Sequence, residues 1–304
     1  MSRATGAGRL VAGRYRLGRE IGSGRSAQVH RAVDERLGRA VALKLLRPGM
    51  PSGGLLGAAA LDHPHLVHVL DAGVDDGRAF VVLELVHGVT VDQLVECSPR
   101  PAEALAVVAA VLAGLAHAHE QGVLHLDVSP ANVLVPVRRG RPDASGVVVL
   151  DVGGARVPGP ADAVIAVSPP YTSPELATAS GADARSDVYA AGALLFHLLT
   201  GREPFPRAQP RDVLLAHVHE PPPVPSALVP GLPAEVDAVV LRAMAKAPED
   251  RFGSAAAMRD AVLAAAELVR GAESGAPDRR PSPRPVRTTR ELPPTSVMKT
   301  AVPM

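Results

Sequence analysis

Apolar and polar residues alternate over short stretches in the first ninety positions, then recur at helical spacing through most of the remainder. Runs at 15–21, 27–34 and 40–46, separated by glycine-containing turns, predict β-strands, and 67–72 and 80–85 predict two more. From Pro101 onward the recurrence predicts helices over 102–121, 186–200, 213–219, 234–245 and 254–269. Between the first two helices, apolar runs at 123–124, 133–135 and 147–150 predict further strand segments. Strands first and helices second, with no repeat of solenoid period, predict an α+β chain with two unequal lobes.

Composition narrows the class. The 304 residues carry a net charge of +1 with 21% charged and 47% hydrophobic residues, which excludes a wholly disordered chain, a collagen and a supercharged nucleic-acid binder. With 2% aromatics and no Trp, the core is expected to be Val, Leu and Ala. The single cysteine, Cys97, excludes an internal disulfide framework and suits a reducing compartment. The longest clean apolar run, 104–116, is 13 residues, short of the roughly 18–20 needed to span a bilayer. The first eighteen residues lack an apolar core of signal-peptide length, so a cytoplasmic location is expected. Residues 1–13 are expected to be a flexible N-terminus, 14–270 a folded domain and 271–304 a disordered tail rich in Pro and Arg.

Four elements carry candidate chemistry. Ile21-Gly22-Ser23-Gly24-Arg25-Ser26-Ala27-Gln28-Val29 joins the first two strands, and glycines there let backbone amides approach an anion. On its own such a hairpin is most often only a turn. Lys44 stands in the strand Val41-Ala42-Leu43-Lys44, where an ammonium needs an anionic partner or an edge from which to reach solvent. In His125-Leu126-Asp127-Val128-Ser129-Pro130-Ala131-Asn132, an Asp and an Asn five apart can serve as base and metal ligand. Asp151-Val152-Gly153 follows an apolar strand, a natural place to hold Mg²⁺. Taken singly, the last two also read as Asx-turns or strand terminators.

In this order and at these separations the elements resemble the Hanks-type, eukaryotic-like serine/threonine protein kinases of bacteria, over about residues 13–269. Phe80-Val81-Val82-Leu83-Glu84-Leu85 is similar to the last strand and hinge over adenine, with Leu83 at the gatekeeper place. Ser173-Pro174-Glu175 resembles the end of the activation segment. Ser186-Asp187-Val188-Tyr189 resembles the start of the large buried helix, and Asp250-Arg251-Phe252 the late arginine that pairs with Glu175. The resemblance implies a bilobal protein-kinase fold. A small antiparallel β lobe with a short or degenerate helix would occupy about 14–86, and a larger, mainly helical lobe about 87–270. It further implies ATP with Mg²⁺ or Mn²⁺, and protein Ser/Thr hydroxyls as acceptors.

By the same resemblance, Lys44 holds the α- and β-phosphates, and Asn132 and Asp151 ligate the metal. Asp127 orients the attacking hydroxyl and receives its proton, while Gly22 and Gly24 bring backbone over the phosphates. Glu84 and Val86 lie where hinge backbone bonds adenine, Ala42 and Leu134 sandwich the ring, and Ile21 and Val29 complete the nucleotide contacts. Ser168 lies near the place of the hydroxyl that contacts the catalytic Asp.

The chain departs from the family pattern in four places. Gly54 stands where the glutamate partner of Lys44 is expected, in a stretch broken by Pro51 and glycines. Leu126 replaces the arginine that usually binds a phosphorylated activation loop, and residues 152–167 hold no Ser, Thr or Tyr, so control by early loop phosphorylation is not expected. Asp162 stands in for that phosphate only if some other cation meets it. Ser129 replaces the catalytic-loop lysine. Val152 and Ala27 replace a Phe and a Gly, both mild changes. Losing the lysine–glutamate pair and a γ-phosphate cation corresponds to on the order of 10²–10³ in rate. The expected activity is a weak or partner-assisted kinase. The alternative is a pseudokinase acting as a nucleotide-binding or protein-interaction module.

His63, His65, His68, His117 and His119 form no zinc pattern with Cys or clustered acids, and read as structural. His125 is expected to pack beneath the metal-binding Asp, and Cys97 to be an ordinary small apolar residue. In the tail, Ser282, Thr288, Thr289, Thr295, Ser296 and Thr300 sit among Arg and Pro, giving either a solvated end or a phosphorylated segment that recruits a phosphopeptide-binding partner. No aromatic residues interleave its basic positions, so nucleic acid is not expected as a partner.

Overall fold

The computed structural model describes residues 8–24, 27–48, 60–152 and 168–275. The expected degenerate helix with Gly54, Gly153 and the loop with Asp162, and the tail from 276 lie outside the described residues. The described chain divides into two compact units. One contains residues 8–48 and His68–Val86, the other Ala60–Val67 and residues 87–275.

The first unit is an antiparallel sheet of β1 (Leu10–Val11), β2 (Tyr15–Ser23), β3 (Ala27–Asp34), β4 (Arg39–Leu46), β5 (Val69–Asp75) and β6 (Arg78–Glu84). The strand order is β1-β2-β3-β4-β6-β5. The β5–β6 hairpin turns on Asp76-Gly77, both with positive φ (48° and 73°), the two-residue turn whose twist matches its strands. Its core is Val11, Tyr15, Leu17, Ala32, Val41, Leu43, Leu45, Phe80 and Val82. Asp34, 1% exposed at its side chain, is held by a two-pronged bond from Arg14 (2.7 and 2.9 Å).

Strand β5 runs from 69 to 75 rather than 67–72. It is the half-exposed edge of the sheet and carries Asp71 and Asp75, so an apolar run does not mark its limits. The 123–124 pair is not a strand. It follows the helix that ends at Glu120, where Gly122 turns left-handed (φ 72°) and the Val123 amide bonds back to the Ala118 carbonyl at 2.9 Å.

The second unit is built on α1 (Val91–Val95), α2 (Pro101–Glu120), α3 (Pro174–Ala177), α4 (Ala184–Thr200), α5 (Pro210–His219), α6 (Ala234–Ala243) and α7 (Ala255–Gly275). A small sheet of β7 (Val89–Thr90), β8 (Val133–Val135) and β11 (Val148–Val149) carries the loops of interest, beside a hairpin of β9 (Val137–Arg138) and β10 (Arg141–Pro142). Helices α2 and α4 are apolar on nearly every side and form the centre of the core. A Cβ on Gly192 of α4 would come within 2.7 Å of the Ala243 Cβ, so only glycine allows α4 and α6 to cross this closely. By length and composition α2 (mean hydropathy 1.6) is apolar enough to cross a membrane, but 72% of that window is buried inside the protein, as a core helix requires. Helix α7 continues to Gly275, past the predicted 269.

Candidate active site

In the second unit, antiparallel pairing sets the geometry. Val133 of β8 lies opposite Val149 of β11, so the residues just outside each strand, Asn132 and Leu150, come together. The Leu150 amide donates to the Asn132 carbonyl at 2.8 Å, which places Asp151 beside Asn132 in space although 19 residues apart in sequence. The buried His125 ring ties the same loops. Its Nε2 donates to the Leu150 carbonyl (2.9 Å) and its Nδ1 accepts from the Asp127 amide (3.2 Å), which is the packing expected from the sequence.

Asp127 and Asn132 are joined directly. Asn132 Nδ2 donates to the Asp127 backbone carbonyl at 2.8 Å and to Asp127 Oδ2 at 3.1 Å. The Ser168 amide donates to Asp127 Oδ1 at 3.2 Å, so the position singled out in the sequence does meet this carboxylate. Burial pushes the Asp127 carboxyl above the ordinary carboxylate range, against the opposing pull of Ser168, His125 and Asn132. A raised, oriented carboxylate suits a group that must receive a proton.

The loop is held by a residue to which the sequence assigned no task. Asp187, fully buried in the first turn of α4, accepts from the Leu126 amide (2.7 Å), the His125 amide (2.9 Å) and His119 Nε2 (2.8 Å). Leu126 has φ +60°, a left-handed conformation that costs a branched side chain about 1–2 kcal/mol, and the two amides on Asp187 hold it there. The available signal was an acid opening a helix whose next twelve residues are nearly all apolar, since a buried carboxylate must find donors. Asp151 is likewise left-handed, at φ +59°. Leu126, Ser129 and Val152, the three departures on these loops that the structure describes, are all buried.

The donor set fits a hard divalent cation. Asn132 directs its Nδ2 to Asp127, which leaves its Oδ1 as the atom to face a cation with the Asp151 carboxylate. Among the described residues no three His, Cys, Asp or Glu side chains cluster closely enough to hold a metal by themselves. Two protein oxygens completed by phosphates is the usual arrangement for Mg²⁺, and Mn²⁺ takes the same ligands. The histidines behave as structural groups: His63 stacks on His117 at 5.3 Å between ring centroids, and His65 Nδ1 bonds the Val147 carbonyl at 2.8 Å. Cys97 follows α1, its Sγ donating to the Gln93 carbonyl at 3.6 Å.

In the first unit, sheet register gathers most of the candidates. Gly22 pairs with Val29, Val29 with Lys44 and Lys44 with Val81, while Ala42 pairs with Leu83. Directly opposed residues share a face and the side-chain period is two, so Gly22, Val29, Ala42, Lys44 and Leu83 lie on one face, opposite the unit's apolar core. Ile21 is the extra residue of a bulge between the Glu20 and Gly22 pairs. The Gly24 amide donates to the Ala27 carbonyl at 2.9 Å. A Cβ at Gly22 or Gly24 would meet nothing nearer than 3.8 Å, so the fold itself does not demand glycine at either place. Lys44 is 7% exposed. Glu84 anchors the end of β6, exchanging bonds of 3.0 Å with the His68 backbone through both its amide and its carboxylate. Val86 follows in the segment leaving the sheet, and Leu134 lies in β8 of the other unit.

The expected late ion pair is present. Arg251 is fully buried and all five of its N–H groups are used, two on the Glu175 carboxylate (2.7 and 2.8 Å) and three on the carbonyls of Arg185, Ala245 and Lys246.

Comparison with known proteins gives the same reading. Residues 15–263 match the protein kinase domain family. The chain is 39% identical over 289 residues to serine/threonine-protein kinase PknB of Mycobacterium tuberculosis, covering 88% of this chain and 44% of that protein. It is 38% identical over 294 residues to serine/threonine-protein kinase PksC of Streptomyces coelicolor, covering 86% and 52%. The chain thus spans about half the length of these relatives. Among solved structures, the Mycobacterium tuberculosis PknI kinase domain superposes with a TM-score of 0.67 at 31% identity, over 86% of this chain and 100% of that one. With motif order, loop geometry and these matches in agreement, the chain belongs to the protein kinase family, among its bacterial Hanks-type serine/threonine members.

Proposed function

We propose that the chain transfers the γ-phosphoryl group of ATP, with Mg²⁺ or Mn²⁺, to serine and threonine hydroxyls of proteins. The observation that carries this is the Asp127–Asn132 pair beside Asp151, locked by the buried Asp187. Asp127 receives the proton of the acceptor hydroxyl, and its contact with Ser168 fixes the orientation of the carboxylate. Asn132 and Asp151 would hold the cation, which when bound neutralises charge on the transferring phosphates. Lys44 holds the α- and β-phosphates, Gly22 and Gly24 let the β2–β3 turn close over them, Ala42, Glu84 and Val86 bind the base, and Ile21 and Val29 complete the nucleotide contacts of this unit. Transfer of this kind needs positioning and electrostatics rather than a covalent intermediate, so a complete set of these groups favours catalysis over the pseudokinase alternative.

We infer a cytoplasmic location, which the supply of ATP there supports. Serine and threonine residues beyond position 275 are proposed self-substrates, and a phosphopeptide-binding partner would find them there. The test is intact mass after incubation of the purified chain with Mg·ATP or Mn·ATP, beside Asp151→Asn. Phosphate added to the wild type alone supports the reading. No added mass with either metal, even with a generic basic protein substrate present, overturns it in favour of a pseudokinase.

A further inference from the structure

The N-terminal end of α2 opens onto a cleft of about 460 Å³ that the phosphotransfer site does not use. Its charged wall is Arg100, Glu103 and Arg270, and its apolar wall includes Ala106, Pro142 and Ala144. Arg141 joins the rim through Glu103, which receives Arg141 Nε at 3.1 Å and Arg100 Nη2 at 3.3 Å on the same oxygen. One carboxylate, 14% exposed, is therefore shared by two arginines that remain 48% and 42% exposed. Arg270 reaches the cleft from α7, where it also meets the exposed Glu267. The adjoining β9–β10 hairpin is held by a two-residue turn, Arg139-Gly140, with both φ values positive (54° and 77°), and carries Arg138, 80% exposed and paired through its Nε with Asp143 at 2.6 Å. Around the cleft, Arg100, Arg138, Arg141 and Arg270 stand against Glu103, Asp143 and Glu267, a local excess of positive charge although residues 1–270 carry a net −2. The cleft lies at the first turn of α2 and the Asp127 loop follows its last, with about 28 Å of helix between the two ends at 1.5 Å per residue.

We propose that this cleft is a phosphate-recognition site for the chain's own C-terminal segment, phosphorylated at Thr295 or Ser296. Guanidinium groups bind a phosphomonoester through paired N–H donors, and three of them around one opening suit a dianion better than a carboxylate. The small apolar wall accepts proline or an aliphatic side chain. The stretch Glu291-Leu292-Pro293-Pro294-Thr295-Ser296-Val297-Met298 supplies these features together, with one acid, two prolines, two acceptor hydroxyls and no base over eight residues. The Arg-rich residues that precede it would be repelled by the rim, whereas one phosphate makes this stretch strongly anionic.

Reach is sufficient. Helix α7 ends at Gly275, about 8 Å along its axis from Arg270, and the twenty residues from there to Thr295 extend up to roughly 65 Å. Closing a loop of this length carries a modest entropy that rises only slowly with length. Phosphorylation of the segment rests on the kinase reading. The bond from the γ-phosphorus to the ADP oxygen breaks, one to the Thr295 or Ser296 oxygen forms, and the hydroxyl proton is released.

The test supplies the phosphate by synthesis, so its outcome does not depend on catalysis. A labelled peptide of residues 291–298 carrying phosphothreonine at 295 is titrated into the full chain with Thr295→Ala and Ser296→Ala, which keeps its own segment from competing. Fluorescence anisotropy should show binding at least tenfold tighter than that of the unphosphorylated peptide. Arg270→Glu and Arg141→Ala should each weaken it at least tenfold with an unchanged melting temperature. Equal binding of the unphosphorylated peptide, or indifference to both rim variants, overturns the site. Equal binding of a scrambled phosphopeptide, or displacement by inorganic phosphate at the same concentration as the peptide, overturns the assignment to this segment. Failure of the mass assay with success here would remove the kinase reading and leave the phosphate site standing.

Discussion

Asp187→Asn should disable phosphate transfer without touching any group that meets ATP, metal or acceptor. In the native structure Asp187 Oδ2 accepts two donors, His119 Nε2 and the His125 amide, and Oδ1 accepts the Leu126 amide. Asparagine has one acceptor oxygen. Turned to keep the two bonds at Oδ2, it sets its NH₂ against the Leu126 N–H, leaving a buried donor facing a donor. One charge-assisted bond is lost and two become neutral, for a combined destabilisation of about 2–4 kcal/mol. Freed of its acceptor, Leu126 can leave the left-handed region and carry Asp127 with it. A displacement near 1 Å at the reacting group costs on the order of 10²-fold in rate. Urea unfolding of the full chain should therefore show a lower midpoint with an unchanged slope. Phosphate incorporation measured well below the new melting temperature should fall about a hundredfold. A variant within about 0.5 kcal/mol of wild type in stability and within threefold in rate would refute the claim that Asp187 holds the loop.

Three further outcomes follow from the geometry. Gly24→Ala should leave the melting temperature unchanged, because the added methyl has room, and should raise the KM for ATP several-fold as the methyl meets the incoming phosphates; an unchanged KM would show that the turn does not close on nucleotide. Because burial raises the Asp127 carboxyl, the acidic limb of the kcat/KM–pH profile should have its midpoint above the ordinary Asp value of roughly 3.9, and a midpoint at or below that value would exclude Asp127 as the proton acceptor. Burial and the nearby Lys246 lower fully buried His217 to about 4, so over the window from 6.5 down to 4 the unfolded chain binds the extra proton. Stability from this group is present above 6.5 and falls with pH, by roughly 3 kcal/mol at pH 4. In urea titrations at several pH values, His217→Gln should remove about one proton from that dependence.

Much of the candidate site was legible in order alone. Lys44, Asp127, Asn132 and Asp151 lie on short segments whose strand or loop character follows from local apolar patterning, and the spacing between them carried the family resemblance. The large helices were equally plain, because α2 and α4 are apolar over many consecutive turns. What local pattern does not encode is partnership across the chain. Asp187 reads as a helix-opening acid until packing sets it against the amides of residues 125 and 126, more than sixty positions earlier. Edge strand β5, half exposed and bearing acids, has limits that the apolar run at 67–72 does not mark. It is defined by pairing with β6. The arginines at 100, 141 and 270 are unremarkable surface charges in sequence and form one rim only where α2, the β9–β10 hairpin and α7 converge. Periodicity is a property of neighbouring residues, so the sequence by itself determined the elements and the chemical groups. Donors, acceptors and like charges from distant positions meet only when the core closes, so tertiary structure alone decided which groups hold the catalytic loop and where charge collects.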